Sequence, residues 1–181
     1  MHVAQKYHLC SEMEKAEYDK HENQIEDDGY RRFLSRTLKP VVAKVEPNSR
    51  GLDFGCGPGP ALAQMFRECG FEMSVYDKYY ADDKSVFDSH YDFVTATEVV
   101  EHLKNPMLEI ERLWSVLKPL GTLAIMTKRV KDLDGFAGWH YKNDPTHIIF
   151  FHEKTFAWIA KKLDAQLCIE SPDVVLLIKK G

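Results

Sequence analysis

The sequence predicts an α/β fold, a three-layer sandwich in which helices cover both faces of a mostly parallel sheet. Three observations carry this. Short β-type runs alternate with helical patterns, a tight glycine turn joins the first strand to the next helix, and two closing apolar runs around Ser171-Pro172-Asp173 read as a terminal hairpin.

Taken in order, Asp27 and Asp28 precede Tyr30, Phe33, Leu34, Leu38, Val41 and Val45, a near-helical apolar spacing with N-cap carboxylates, interrupted only by Pro40. A strand follows at Gly51-Leu52-Asp53-Phe54. The turn Gly55-Cys56-Gly57-Pro58-Gly59 leads to Pro60 at a helix start, ahead of Leu62, Met65, Phe66 and Cys69, and Gly70 closes that helix. Residues 72–77 and 91–97 have the length of buried strands, and the interval 81–90 leaves room for no more than a vestigial strand and little helix. Asn105 and Pro106 read as N-cap and first helical residue for a helix with Ile110, Leu113, Trp114 and Leu117 inward. A strand over 122–127, an aromatic loop over 130–150, a helix over 153–163 and the strands 165–169 and 174–179 complete the chain.

Length and composition bound the function. With 181 residues, 44% hydrophobic and 29% charged, one well-cored domain is expected. Lys and Arg total 24 against 28 Asp and Glu, and the basic pairs are dispersed, so no nucleic-acid footprint is present. The four cysteines are scattered without CxxC spacing, which predicts a reducing compartment. The N-terminus lacks an apolar signal core and the longest aliphatic run, Val174 to Ile178, is far too short for a bilayer, so a cytoplasmic protein without membrane contact is expected.

A strand running through a glycine turn into a helix brings backbone N–H groups and a helix N-terminus to one ligand site. The glycines at 55, 57 and 59 with Pro60 in the sixth position depart from the dinucleotide fingerprint, which disfavours a nicotinamide cofactor. Asp77, at the end of the following strand, stands where a carboxylate can hold ribose hydroxyls. Leu52-Asp53-Phe54-Gly55-Cys56-Gly57-Pro58-Gly59 resembles the first motif of class I S-adenosylmethionine-dependent methyltransferases. Tyr91 to Leu103 resembles that family's fourth-strand motif, and Leu117-Lys118-Pro119-Leu120-Gly121-Thr122-Leu123 its turn before the fifth strand.

The resemblance spans roughly residues 30–179 and implies a Rossmann-like sandwich with a seven-stranded sheet whose last strand is antiparallel. It also implies that Asp53, Gly55, Cys56, Gly57 and Gly59 line the methionine and ribose part of the cofactor site, that Asp77 holds the ribose, and that Thr97 and Glu98 border the cofactor. Residues 81–88 lack the acidic-then-apolar pair the family uses for adenine, for which Tyr79, Phe87 or nearby backbone are substitutes. Residues 1–29 form an N-terminal lid or entry segment, in which residues 14–23 resemble the lid found in a subset of these enzymes, with Tyr18, His21 and Asn23 as its contacts, the alternative being a charged, solvated entry segment; residues 30–181 form the methyltransferase domain.

Methyl transfer from a sulfonium is an in-line displacement that needs alignment in a dry pocket and no protein nucleophile. A general base helps a phenol, enol or amine acceptor, and His102 is the first candidate, grouped with Glu98 and Glu101 by i, i+3, i+4 spacing on one helical face. The alternative is an N-terminal helix face in which Glu101 is solvated and His102 hydrogen-bonds locally. In the aromatic loop His140, Tyr141 and His147 are candidates to orient the acceptor, against a reading in which Asp144 and His147 make a loop hydrogen bond. His140, Asp144 and His147 show no ordered ligand spacing, so no metal is expected. The expected function is methyl transfer to a small molecule, since Asn105-Pro106 continues as Met107-Leu108 and lacks the motif of many base-methylating enzymes. Alternatives are a catalytically silent cofactor-binding subunit and, further off, an NAD(P)-dependent oxidoreductase.

Overall fold

The protein is described by a computed structural model covering residues 1–20 and 24–181. A short helix α1 (Ser11–Tyr18) is followed by α2 (Asp28–Val42), whose first turn is capped by the Asp27 carboxylate accepting from the Tyr30 N–H at 2.6 Å. Pro40 sits in the last turn, where few hydrogen bonds remain to lose. Then come β1 (Arg50–Phe54), α3 (Ala61–Glu68), β2 (Glu72–Tyr76), β3 (Tyr91–Thr97), α4 (Pro106–Ser115), β4 (Leu117–Met126), α5 (Leu133–Ala137), α6 (Glu153–Leu163), β5 (Gln166–Ile169) and β6 (Val174–Ile178).

The strands form one six-stranded sheet in the order β2-β1-β3-β4-β6-β5. β1 to β4 are mutually parallel, while β6 inserts antiparallel to both β4 and β5. Side chains alternate between faces as the strand period requires. Leu52, Val94, Leu123, Ile125, Val175 and Leu177 meet α4 and α6 on one side, and Phe93, Ala124, Met126, Val174 and Leu176 meet α2 and α3 on the other. This is the three-layer arrangement expected.

Among the described residues the expected seventh strand is absent. Residues Lys84–Asp88 form a 3-10 turn capped by the Asp83 carboxylate, and Phe87 packs on Tyr76 and Phe54 at the end of β2 and β1. So short an interval closes over the sheet edge instead of adding to it. The N-terminal segment is tied to the body by the Val3 N–H donating to the Ile148 carbonyl at 2.8 Å and by an antiparallel bridge between His2 and Ile149. Among the described residues no helix is long and apolar enough to cross a membrane.

Candidate active site

At the carboxyl ends of β1, β2 and β3 the chain encloses a pocket of about 430 Å³, the size of a small-ligand site. Its floor is the turn after β1. Gly55 and Gly57 adopt φ of +76° and +65°, conformations that suit glycine, and a Cβ on Gly55 would come within 2.3 Å of Val99 Cγ2. Gly55, Cys56, Gly57 and Pro58 line the pocket, whereas Gly59 does not, its carbonyl instead accepting from the Ala61 N–H at the start of α3. Asp53 lies beneath the turn, fully buried, and accepts from Thr95 Oγ1 at 2.7 Å; burial pushes its pKa up to about 6. It supports the floor and is not part of the lining. Burial likewise pushes the Cys56 thiol up to about 12, so this sulfur stays protonated at neutral pH.

Asp77, just past β2, binds the turn to its neighbours. Its Oδ2 accepts from the Gly57 N–H at 3.1 Å, and its Oδ1 from the N–H groups of Tyr79 and Tyr80 at 2.8 and 3.2 Å. Phe54, Tyr76, Tyr79 and Tyr80 supply aromatic wall on this side, and Tyr30 and Phe33 supply it from α2. Tyr30 and Phe33 were legible only as a core-facing stripe, because the helical period says which side is apolar and not what it covers. Phe87 is behind this wall.

The opposite wall comes from the end of β3 and the aromatic loop. Thr97, Glu98 and Val99 line the pocket, with Glu98 at φ +52°, and the chain then makes a 3-10 turn over Val100–His102. No helical face carries Glu98, Glu101 and His102 together, contrary to the spacing argument. His102 faces the pocket; Glu101 is fully buried behind it, not solvated. The hydroxyl of Tyr141 donates toward both carboxylates, to Glu98 Oε2 at 3.1 Å and to Glu101. Burial and the neighbouring Glu98 charge raise the Glu101 pKa, and burial also raises that of Glu98.

His147 joins His102, their rings 4.7 Å apart. His102 Nδ1–H donates to the Thr146 carbonyl at 3.1 Å and His147 Nδ1–H to the Tyr141 carbonyl at 2.7 Å, since a carbonyl can only accept. Burial, with His147 adding to it, pushes the His102 pKa down to about 4, so its ring is neutral. Asp144 also lines the pocket, its Oδ2 3.8 Å from His147 Nε2. His140 is elsewhere: exposed on a short turn, it meets Lys128 Nζ at 3.1 Å and takes no part in the pocket. The density of aromatics and histidines in this loop did not say which residues face inward. Trp139, Phe136 and Phe150 pack on one another, and Trp139 joins this group to Tyr141, their rings 5.0 Å apart.

The remaining side of the pocket is built by α1. Tyr18 lines the pocket, its ring edge-on to His102 at 5.4 Å. Glu14 is buried and accepts from Tyr18, Lys78 and Tyr79 at 2.8 to 3.0 Å. Burial raises its pKa, but these hydrogen bonds outweigh that and hold the carboxyl below its usual range. Tyr80 donates to Asp19 at 2.6 Å, a second latch. His21 and Asn23 lie outside the described residues.

A glycine turn after the first strand, a carboxylate at the end of the second, and a parallel sheet with an antiparallel strand inserted beside its far edge define a class I methyltransferase, the class whose methyl donor is S-adenosylmethionine. Residues 25–168 match the family described as the methyltransferase domain, and the chain belongs to that family. No curated protein matches it. Among solved structures it is similar to a SAM-dependent methyltransferase from Archaeoglobus fulgidus, at 18% identity and a TM-score of 0.62, covering 90% of this chain and 99% of that one. It also resembles an O-methyltransferase family protein from Burkholderia thailandensis (14% identity, TM-score 0.60, 93% of this chain and 63% of that). A third is a Haemonchus contortus phosphoethanolamine N-methyltransferase in complex with S-adenosylhomocysteine (13% identity, TM-score 0.58, 83% and 53%). The last two are longer proteins, of which this chain spans 63% and 53%.

The pocket fits that donor. Asp77 Oδ2 retains acceptor capacity beyond its one backbone hydrogen bond, as a ribose hydroxyl needs. Oε1 of the pocket-lining Glu98 is buried without a hydrogen-bond partner among the described residues, as an ammonium group needs.

Proposed function

We propose that this chain transfers a methyl group from S-adenosylmethionine to a small-molecule acceptor by in-line displacement. The observation that carries the reading is the two-sided pocket: a glycine turn with Asp77 on one side, and His102, His147 and Asp144 on the other, under the Tyr18 edge of α1. When bound, S-adenosylmethionine supplies a methyl group on a positively charged sulfur. The backbone of Gly55, Cys56 and Gly57 and the Asp77 carboxylate hold its ribose and methionine part, with Thr97 at the border and Glu98 facing the ammonium. Tyr79 and Tyr76 offer ring faces for adenine in place of the family's acidic-then-apolar pair.

Acceptor chemistry falls to the other wall. With Nδ1 carrying the hydrogen, His102 keeps a lone pair at Nε2, and a neutral ring can accept a hydrogen bond from a hydroxyl or amine. A pKa near 4 makes it a weak base, so its part is chiefly to orient the acceptor. Tyr18 and the latched α1 exclude water, which strengthens alignment as a source of rate. The roofed pocket and the net charge of −4 both favour a small acceptor over a nucleic acid.

The test is isothermal titration with S-adenosylhomocysteine beside NAD and NADP, followed by an acceptor screen that reads S-adenosylhomocysteine release. Micromolar binding of S-adenosylhomocysteine with none of the nicotinamides is expected. The reverse pattern overturns the reading. A silent subunit would bind the cofactor and respond to no replacement at His102 or His147.

A further inference from the structure

We propose that Glu101, His102 and His147 form a binding site for one first-row divalent cation in the wall of the pocket. One ligating atom from each residue lies within 4.8 Å of the other two, a separation that a single ion can span. The three come from two segments more than forty residues apart, the turn after β3 and the loop after α5, which pack together here.

The hydrogen bonds around the cluster suit a ligand set. Both imidazoles direct Nδ1–H at a backbone carbonyl, Thr146 for His102 and Tyr141 for His147. In a neutral ring that arrangement leaves the lone pair on Nε2, the outer-shell pattern of metal-bound histidine, and Asp144 Oδ2 stands 3.8 Å from His147 Nε2. Glu101 is 0% exposed; one oxygen takes the Tyr141 hydroxyl, and Oε2 has no hydrogen-bond partner among the described residues. A buried carboxylate oxygen left unpaired is costly, and methyl transfer as derived above makes no use of it. Glu98 shares the same Tyr141 hydroxyl, and among the described residues neither carboxylate has an ion-pair partner. Two acidic groups thus meet at one hydroxyl beside the two imidazoles.

Two imidazoles and one carboxylate favour Mn²⁺, Fe²⁺, Co²⁺ or Zn²⁺ over the all-oxygen preference of Mg²⁺ and Ca²⁺. Because His102 and His147 line the pocket, the remaining coordination positions open onto it. An acceptor oxygen would complete the shell there, in place of the hydrogen bond that His102 Nε2 offers it when no cation is bound, a consequence that rests on the methyltransferase reading; the binding of the cation does not. This departs from the sequence-based expectation of no metal, which weighed His140 and Asp144 in place of Glu101 and His102.

The experiment uses the full chain stripped with a chelator and titrated with Co²⁺, followed by its visible absorption, with Mn²⁺ titrated calorimetrically in parallel. One equivalent of Co²⁺ with ligand-field bands is expected, and paramagnetic NMR should assign two imidazole ligands. Glu101→Gln and His102→Gln should each weaken binding by at least about 10–100-fold, the range that even outer-shell changes produce. The exposed His140→Ala is the control for adventitious histidine binding and should change nothing. S-adenosylhomocysteine binding is measured on every protein. A chain that binds S-adenosylhomocysteine but no stoichiometric Co²⁺ overturns the cation site alone, as do bands unchanged in both variants. Should a variant fail to fold by circular dichroism, the imidazole count on the wild-type protein decides: fewer than two overturns the proposal.

Discussion

Asp77→Ala tests the cofactor side of the pocket. The Asp77 carboxylate has about four acceptor positions, and three are already filled by the N–H groups of Gly57, Tyr79 and Tyr80. One position, on Oδ2, is left for a ribose hydroxyl. A hydrogen bond to a charged group contributes about 1.5–3 kcal/mol, so its loss should weaken S-adenosylhomocysteine binding by roughly 10–150-fold. Loosening of the Gly57 turn adds to this, because the same carboxylate anchors that backbone. Asp77→Asn separates the two effects. Its amide oxygen can still accept from Tyr79 and Tyr80, but its NH₂ meets the Gly57 N–H donor to donor and offers nothing to a hydroxyl that needs an acceptor. The assay is titration calorimetry with S-adenosylhomocysteine on the parent protein and the two variants, alongside thermal melts. Both variants should lose affinity, with Asp77→Asn the closer to the parent in melting temperature. Unchanged affinity in Asp77→Ala would refute the assignment, since no arrangement that uses this carboxylate survives its removal.

Other expectations are as direct. Gly55→Ala combines a left-handed φ, costing about 1–2 kcal/mol, with a Cβ 2.3 Å from Val99 Cγ2, an overpacking cost of about 1–3 kcal/mol; its melting temperature should fall, and an unchanged melt contradicts the geometry. Asp53 is protonated in the native state up to about pH 6 and in the unfolded chain only up to about 3.8. Between those values the native state binds the extra proton, so stability falls as pH rises through the window, by roughly 3 kcal/mol in all. Denaturant melts of Asp53→Asn should lack that fall, and an identical pH profile in both proteins would count against it. Glu14→Ala removes the latch between α1 and Lys78, Tyr18 and Tyr79; with Lys78 half exposed, the effect is about 1 kcal/mol, read as a roughly fivefold faster release of S-adenosylhomocysteine in stopped flow. His140→Ala should leave turnover as it was, and a loss would mean that this loop rearranges when ligands bind.

What could be read from the sequence was what local chemistry determines. Leu52 to Gly59 declares itself because a strand, two left-handed glycines and a helix start must follow one another there, and Asn105-Pro106 or Gly70 mark helix ends through their own backbones. The inserted strand β6 was visible as the second arm of a hairpin. Glu101 was not legible, since its burial depends on the Tyr141 hydroxyl forty residues on. Nor was the choice between His140 and His147, because both sit in one irregular loop without a period to assign faces. The missing strand shows the limit of resemblance: the interval 81–90 is too thin for a full strand and helix, yet the resemblance implies seven strands, and the chain forms a 3-10 turn over Lys84–Asp88 there.

That omission bears on how the molecule behaves among its own copies. A sheet that ends one strand early presents an outer strand whose backbone groups are open to pairing, the usual seed of aggregation. Here the outer strand is only Glu72–Tyr76, the Arg67 guanidinium occupies the Met73 carbonyl at 2.8 Å, and Phe87 lies against its far end. A neighbouring chain finds little there to extend, so the sheet can stop early without inviting self-association along that edge.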